Sequence, residues 1–195
     1  MFTIADITSL SPQRKQQQMA KCCVMVAGAL TVVLTTKTII GLWGADGAIY
    51  KEYVYSLYTL LILAIGPLSS YPPKHALKCM KTTIITDFVA ISLATIAALG
   101  YYSEPIIILS IWMIITTNVL MRSIGSTVES KVVNGDDEYA LLDTKLNSTY
   151  IAAGAIVGGL FLYFSVSVLL VGILAAGALM VCRVNRVKLI EYYYK

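Results

Sequence analysis

The sequence predicts an all-α, polytopic membrane protein: a bundle of six transmembrane helices with both ends in the cytoplasm. Three observations carry this. First, the 195-residue chain is 57% hydrophobic and only 13% charged, whereas soluble domains carry about 25% charged residues. Its mean hydropathy is +0.75, and a chain of this size cannot bury so much apolar surface against itself, so lipid must cover much of it. Second, six apolar stretches follow one another at 21–42, 53–70, 83–101, 105–124, 148–163 and 167–182. Third, the basic residues lie almost entirely on one side of them.

That asymmetry sets the direction of every span. The N-terminal segment, the second and fourth connections and the C-terminal segment together hold Arg14, Lys15, Lys21, Lys74, Lys78, Lys81, Arg122, Lys131, Lys145, Arg183, Arg186, Lys188 and Lys195. The remaining connections hold only Lys51, and Lys37 falls inside the first apolar run. Basic loops stay cytoplasmic, so the chain reads as a cytoplasmic N-tail 1–20, a transmembrane domain 21–182 with a cytoplasmic loop 125–147, and a cytoplasmic C-tail 183–195. The expected location is a cell membrane, multi-pass, of the bacterial inner-membrane type. The net charge of +4 is segregated by side, which suits anionic inner-leaflet lipid. No nucleic-acid module accompanies it.

Taken in order, the first apolar run is too long for a signal peptide and lacks a small-residue cleavage site, so it reads as an uncleaved span ending at Trp43, an interfacial aromatic. Tyr50, Tyr53, Tyr55 and Tyr58 lead into the second span, which ends at Gly66-Pro67. Pro72-Pro73 cannot lie inside a helix, and with Lys74 and His75 they form a tight basic turn before a third span from about Thr83. A minimal turn at 101–105 places Pro105 at the start of the fourth span. Asn134-Gly135-Asp136-Asp137 is a turn followed by a helix start with acids at its positive end. Tyr139, Leu141, Leu142 and Leu146 then suggest a short amphipathic helix at the membrane surface. Spans five and six divide at 164–167 and are short, about 16 residues or ~24 Å each.

Catalytic signatures are few, and no enzyme activity is expected. His75 is a solvated loop residue by position. The chain has no phosphate-binding loop and no metal-ligand spacing. Cys22, Cys23, Cys79 and Cys182 all fall near cytoplasmic helix ends and are expected as free thiols. Neither a cofactor nor a metal is implied. Charged and amide residues inside spans are the better pointers to function, because hydrocarbon penalises them. Lys37, Asp87, Asn118 and Arg122 are therefore the candidate cavity residues, although Lys37 and Arg122 also lie close enough to an interface to snorkel.

Span five carries Gly154 and Gly158 on one face, followed by Gly159, and small residues at that spacing allow close helix contact. Together with Arg122-Ser123-Ile124-Gly125 and the acidic helix start after it, this order resembles the N-terminal half of a major facilitator superfamily transporter. That family follows an Arg in span four with a Gly three residues later, and its span five has the pattern Gly-Pro-x-x-Gly-Gly. Ala155 stands where the Pro would be. In the loop between spans two and three Gly66 fits the family signature, Ser70 and Tyr71 replace its Asp-Arg pair, and Lys74 and Lys78 keep the positive charge. The resemblance implies a half-transporter-like bundle with a small-molecule substrate that the sequence does not name. Such a half-bundle would act as a parallel homodimer or beside another membrane subunit. The alternative is a non-transporting membrane binding protein on a transporter-derived scaffold, such as a bacteriocin immunity, exclusion or regulatory subunit. The missing Asp-Arg pair and the missing second half favour it.

Overall fold

In the computed structural model, residues 9–44, 73–100, 113, 124–126 and 128–194 are described. They are helical apart from short turns and form no strand. Four long helices account for most of them: α1 Pro12–Trp43, α2 Pro73–Ala98, α3 Asp137–Tyr163 and α4 Val168–Tyr194. All four are long and apolar enough to cross a membrane. Six such helices were expected. The spans expected at 53–70 and 105–124 lie outside the described residues, apart from Met113 and Ile124, both helical.

Each helix starts and stops where its local chemistry requires. Ser11 caps α1, its Oγ accepting from the Arg14 N–H at 3.4 Å, and Pro12 occupies the first turn, where its missing N–H costs nothing. Gly44 ends α1 at φ +59° with its N–H on the Ile40 carbonyl, a backbone conformation that favours glycine. α2 opens on Pro73, and Gly100 (φ +104°) follows its end. Asn134 and Gly135 both take positive φ. Asp136 then caps α3, accepting from the Tyr139 N–H at 2.9 Å, with Asp137 and Glu138 in the first turn.

Several boundaries differ from the sequence reading. The polar N-tail is helical from Pro12, and the basic turn at Lys74 and Lys78 is the first part of α2. The surface helix expected within the 125–147 loop is not separate: α3 runs without a break from Asp137 to Tyr163. Nor is 183–195 a free tail, since α4 continues to Tyr194 and buries Arg183, Asn185, Arg186, Leu189 and Ile190. The last two spans are therefore 27 residues each, about 40 Å long, and not short. Polarity marked where the hydrocarbon ends, but the helices continue beyond that point.

The ion pairs order the helices. Arg14 meets Asp136 and Lys21 meets Asp143, the same seven-residue step on both chains, so α1 and α3 run parallel. Lys81 meets Glu191 and Asp87 meets Arg183, so α2 and α4 run antiparallel. Lys37 donates to the Val166 carbonyl in the α3–α4 turn at 2.9 Å, which places the end of α1 beside the start of α4. It follows that α1, α2 and α3 all run away from one polar end and α4 runs back to it.

Two clusters of buried side chains hold the bundle. Along the apolar length, Leu30, Val33 and Leu34 of α1 meet Ile91 and Ala94 of α2 and Val171, Ala175 and Leu179 of α4. At the polar end Met80, Ile124, Val128, Val132, Tyr139, Leu189 and Ile190 form a second cluster. Small residues bring the helices close. A Cβ added at Gly154 would stand 3.0 Å from the Met25 carbonyl oxygen, and one at Gly158 3.4 Å from the Ala29 Cβ. Gly172 lies tighter still against the Thr95 side chain of α2, where an added Cβ would overlap Oγ1. Hydroxyls inside the helices donate to carbonyls one turn back, as Thr31 does to Ala27 at 2.7 Å and Thr95 to Ile91 at 2.7 Å. This satisfies them without water. Large apolar side chains such as Ile85, Phe88, Ile156 and Ile173 face outward, as a lipid-covered surface requires.

Candidate functional site

Asp87 lies on α2 at the junction of α1, α2 and α4. Its Oδ2 accepts from Arg183 Nε at 2.7 Å. Arg183 is 0% exposed and is the largest fully buried side chain described. Among the described residues its Nη1 and Nη2 find no hydrogen-bond acceptor. A buried guanidinium is costly in a low-dielectric setting unless its donors are satisfied, and among the described residues Asp87 is the acceptor that Arg183 meets.

Two spaces adjoin the pair. On the α1 side a cavity of about 20 Å³ touches Asp87, Gly28 and Thr31. On the outer side a cleft of about 550 Å³ runs between α2 and α4, with Asp87 and Arg183 at its polar end and Phe88, Ile173, Gly177 and Met180 among its apolar walls.

A second polar centre ties α1 to α3. Lys21 Nζ donates to Asp143 Oδ2 at 2.6 Å and also pairs with Glu129. Gln18 Nε2 donates to Asp143 Oδ1 at 2.7 Å and to the Tyr139 hydroxyl at 3.0 Å. Nearer the helix starts, Arg14 donates to Asp136 at 2.7 Å and its guanidinium stacks 4.1 Å from the centre of the Tyr139 ring. The hydrogen bond from the Tyr139 N–H, then that from Arg14, holds the Asp136 carboxyl below its ordinary 3.8. Farther along, Gly125 leaves room for the Arg186 guanidinium, which a Cβ there would overlap. These contacts tie the helices together as a clasp, with Gln18 Oε1 left without a partner among the described residues.

The residues singled out from sequence therefore separate. Asp87 joins an ion pair with Arg183 toward the polar end of the bundle. Lys37 does not share its cavity: it stands six residues beyond Thr31 on α1, about 9 Å of rise, and reaches the opposite turn. Asn118, Arg122 and Gly66 lie outside the described residues. Lys74 opens α2, and Lys78 is exposed one turn on. Gly154 and Gly158 face α1 in close contact, whereas Gly159 is exposed with nothing within 4 Å of an added Cβ. Cys22, Cys23 and Cys182 are free, and among the described residues no His, Cys, Asp or Glu group could hold a metal.

Sequence reasoning missed Arg183 and Lys21, which it counted only as topology charges, and did not single out Gln18 or Asp143. One signal was present. The buried stripe Leu179, Cys182, Arg183, Arg186, Leu189 and Ile190 keeps the three-and-four spacing of a packed helix face straight through the arginines.

Comparison with protein-family models, with characterised proteins and with solved structures finds no match. The arrangement must be interpreted on its own chemistry: apolar walls, one buried carboxylate and a guanidinium with donors to spare.

Proposed function

We propose that this chain is a six-span protein of a cell membrane, of the bacterial inner-membrane type, with both ends cytoplasmic and a transport-related role. The Asp87–Arg183 pair is its working centre. The observation that carries this is the burial of that pair between three helices with Nη1 and Nη2 of Arg183 unfilled, because ionisable groups kept inside a membrane bundle usually serve a substrate or ion path. The apolar runs at 53–70 and 105–124 and the parallel run of α1, α2 and α3 support the six-span reading. A single such bundle resembles half of a facilitator, so it works as a parallel homodimer or beside a second membrane subunit. The test compares cells expressing wild type, Asp87→Asn or no protein, matched for membrane abundance, for uptake and efflux of a labelled panel of small organic ions. Wild type should differ from empty cells for at least one compound, and Asp87→Asn should abolish the difference. If abundant wild-type protein behaves like empty cells across the panel, transport is discarded.

A second reading is favoured by one observation. Arg14, Lys21 and Lys37 are all held in helix–helix contacts and do not line a shared polar cavity. A non-transporting immunity, exclusion or regulatory subunit, acting by contact within the bilayer, needs only such a rigid scaffold. In that case alanine substitutions at outward-facing Ile156, Ile173 or Met180 would abolish the cellular phenotype while Asp87→Asn would not.

A further inference from the structure

We propose that the outer face of α2 and α4 holds an anionic phospholipid from the basic-side leaflet, its phosphate at Lys78 and Lys81 and one acyl chain in the cleft between the two helices. Two hollows meet on this face. The first, about 430 Å³, is lined by Leu77, Lys78, Lys81, Thr82 and Ile85. The second is the 550 Å³ cleft, whose walls include the same Ile85. Along α2 the surface therefore passes from a cationic shelf to an apolar trough, the order in which a lipid presents its head and its tail.

The charges fit an anion. Lys81 is 57% exposed and lies 3.2 Å from Glu191. Lys78 is exposed and has no ion pair among the described residues. Arg183, at the polar end of the trough, is 0% exposed and paired with Asp87, so the two lysines carry the headgroup. Depth agrees as well. The apolar run of α4 ends at Cys182 and that of α2 begins after Lys81, so Lys78 and Lys81 stand where headgroups begin. The trough opens between Phe88, Ile173 and Met180, which are 65%, 68% and 59% exposed, so a lipid can slide in sideways without leaving the bilayer.

The test uses the full chain purified in mild detergent. Binding is measured by thermal shift and by native mass spectrometry with phosphatidylglycerol, with phosphatidylcholine of the same chains, and with glycerol phosphate. Phosphatidylglycerol should bind and raise the unfolding temperature, and the other two should bind at least about fivefold more weakly, the worth of roughly one cation near an anionic lipid. Gly177→Phe fills the trough from a position where an added Cβ meets nothing within 4 Å, so the fold is retained, and binding should fall. Lys78→Gln should lower phosphatidylglycerol affinity by a similar factor and leave phosphatidylcholine unchanged. Equal binding of the two lipids would reduce the face to ordinary annular contact and overturn the proposal. So would a full response to glycerol phosphate, which would point to a soluble anion, or wild-type binding by Gly177→Phe. Lipid binding without any solute movement would leave this inference standing while removing the transport reading.

Discussion

Arg183 donates through Nε to Asp87 at 2.7 Å across the α2–α4 interface, joining residues 96 positions apart in the chain. The pair sits where the apolar part of the bundle gives way to its polar end. It is the main electrostatic tie between these two helices, because the Lys81–Glu191 pair nearby is largely solvent-exposed.

Removing one partner should therefore cost far more than removing both. Asp87→Leu or Arg183→Met alone leaves a buried charge without its counter-ion, a loss of about 3–5 kcal/mol. The double substitution should recover most of that. Thermal unfolding of all four proteins in detergent gives the coupling, and additive losses would mean the two groups do not depend on each other.

The glycine contacts make a graded prediction. Gly154→Leu and Gly158→Leu would push α3 off the Met25–Ala29 backbone of α1, and Gly172→Leu would displace Thr95. Each should cost about 1–3 kcal/mol or reduce folded yield outright. Gly159→Leu adds a side chain on an open surface and should behave like wild type in fluorescence-detected size exclusion. If Gly159→Leu is the damaging one, the α1–α3 packing is wrong.

Lys37 closes the far end by donating to the Val166 carbonyl. Lys37→Ala should weaken that end by about 0.5–1.5 kcal/mol. The effect should be local: amide exchange at 164–168 rises, while exchange around Asp143 stays unchanged. Uniform acceleration would argue against a local tie.

Topology can be checked by single-cysteine labelling in a variant without native cysteines. Lys78→Cys, Glu138→Cys and Lys188→Cys should react with a membrane-impermeant reagent from the same side, and Ser165→Cys from the other. Labelling of Ser165→Cys together with Lys78→Cys would contradict the parallel run of α1, α2 and α3.

Acid should loosen the Arg14–Asp136 contact. The Asp136 carboxyl lies below its ordinary 3.8 in the folded protein, so its contribution is complete above that value and is lost as pH falls through the lower, folded one. Asp136→Asn keeps the cap but not the charge. The stability gap between wild type and this variant should hold from pH 7 to about 4 and close below it. A gap that already closes near pH 6 would point to a different group.

Much of this protein is legible in its sequence because membranes impose a simple rule. Lipid rewards unbroken apolar runs, so composition alone marked the apolar stretches that the structure describes as α1, α2, α3 and α4. Cap chemistry is local too: Asp136 with its acidic first turn announced a helix start and Gly44 an end, whereas Ser11-Pro12, read as part of a polar tail, proved to be a cap. What only the tertiary structure decided is which charges meet. Arg183 reads as the first residue of a tail, and Lys21 as a topology signal. Their partners, Asp87 and Asp143, lie 96 and 122 residues away in the chain. Partner choice depends on how α1, α2, α3 and α4 pack, and that packing is set by small side chains at Gly154, Gly158 and Gly172 whose effect is steric and long-range. A spacing pattern shows that a helix has a close-packing face, but the side chain that meets it is settled only when the helices come together.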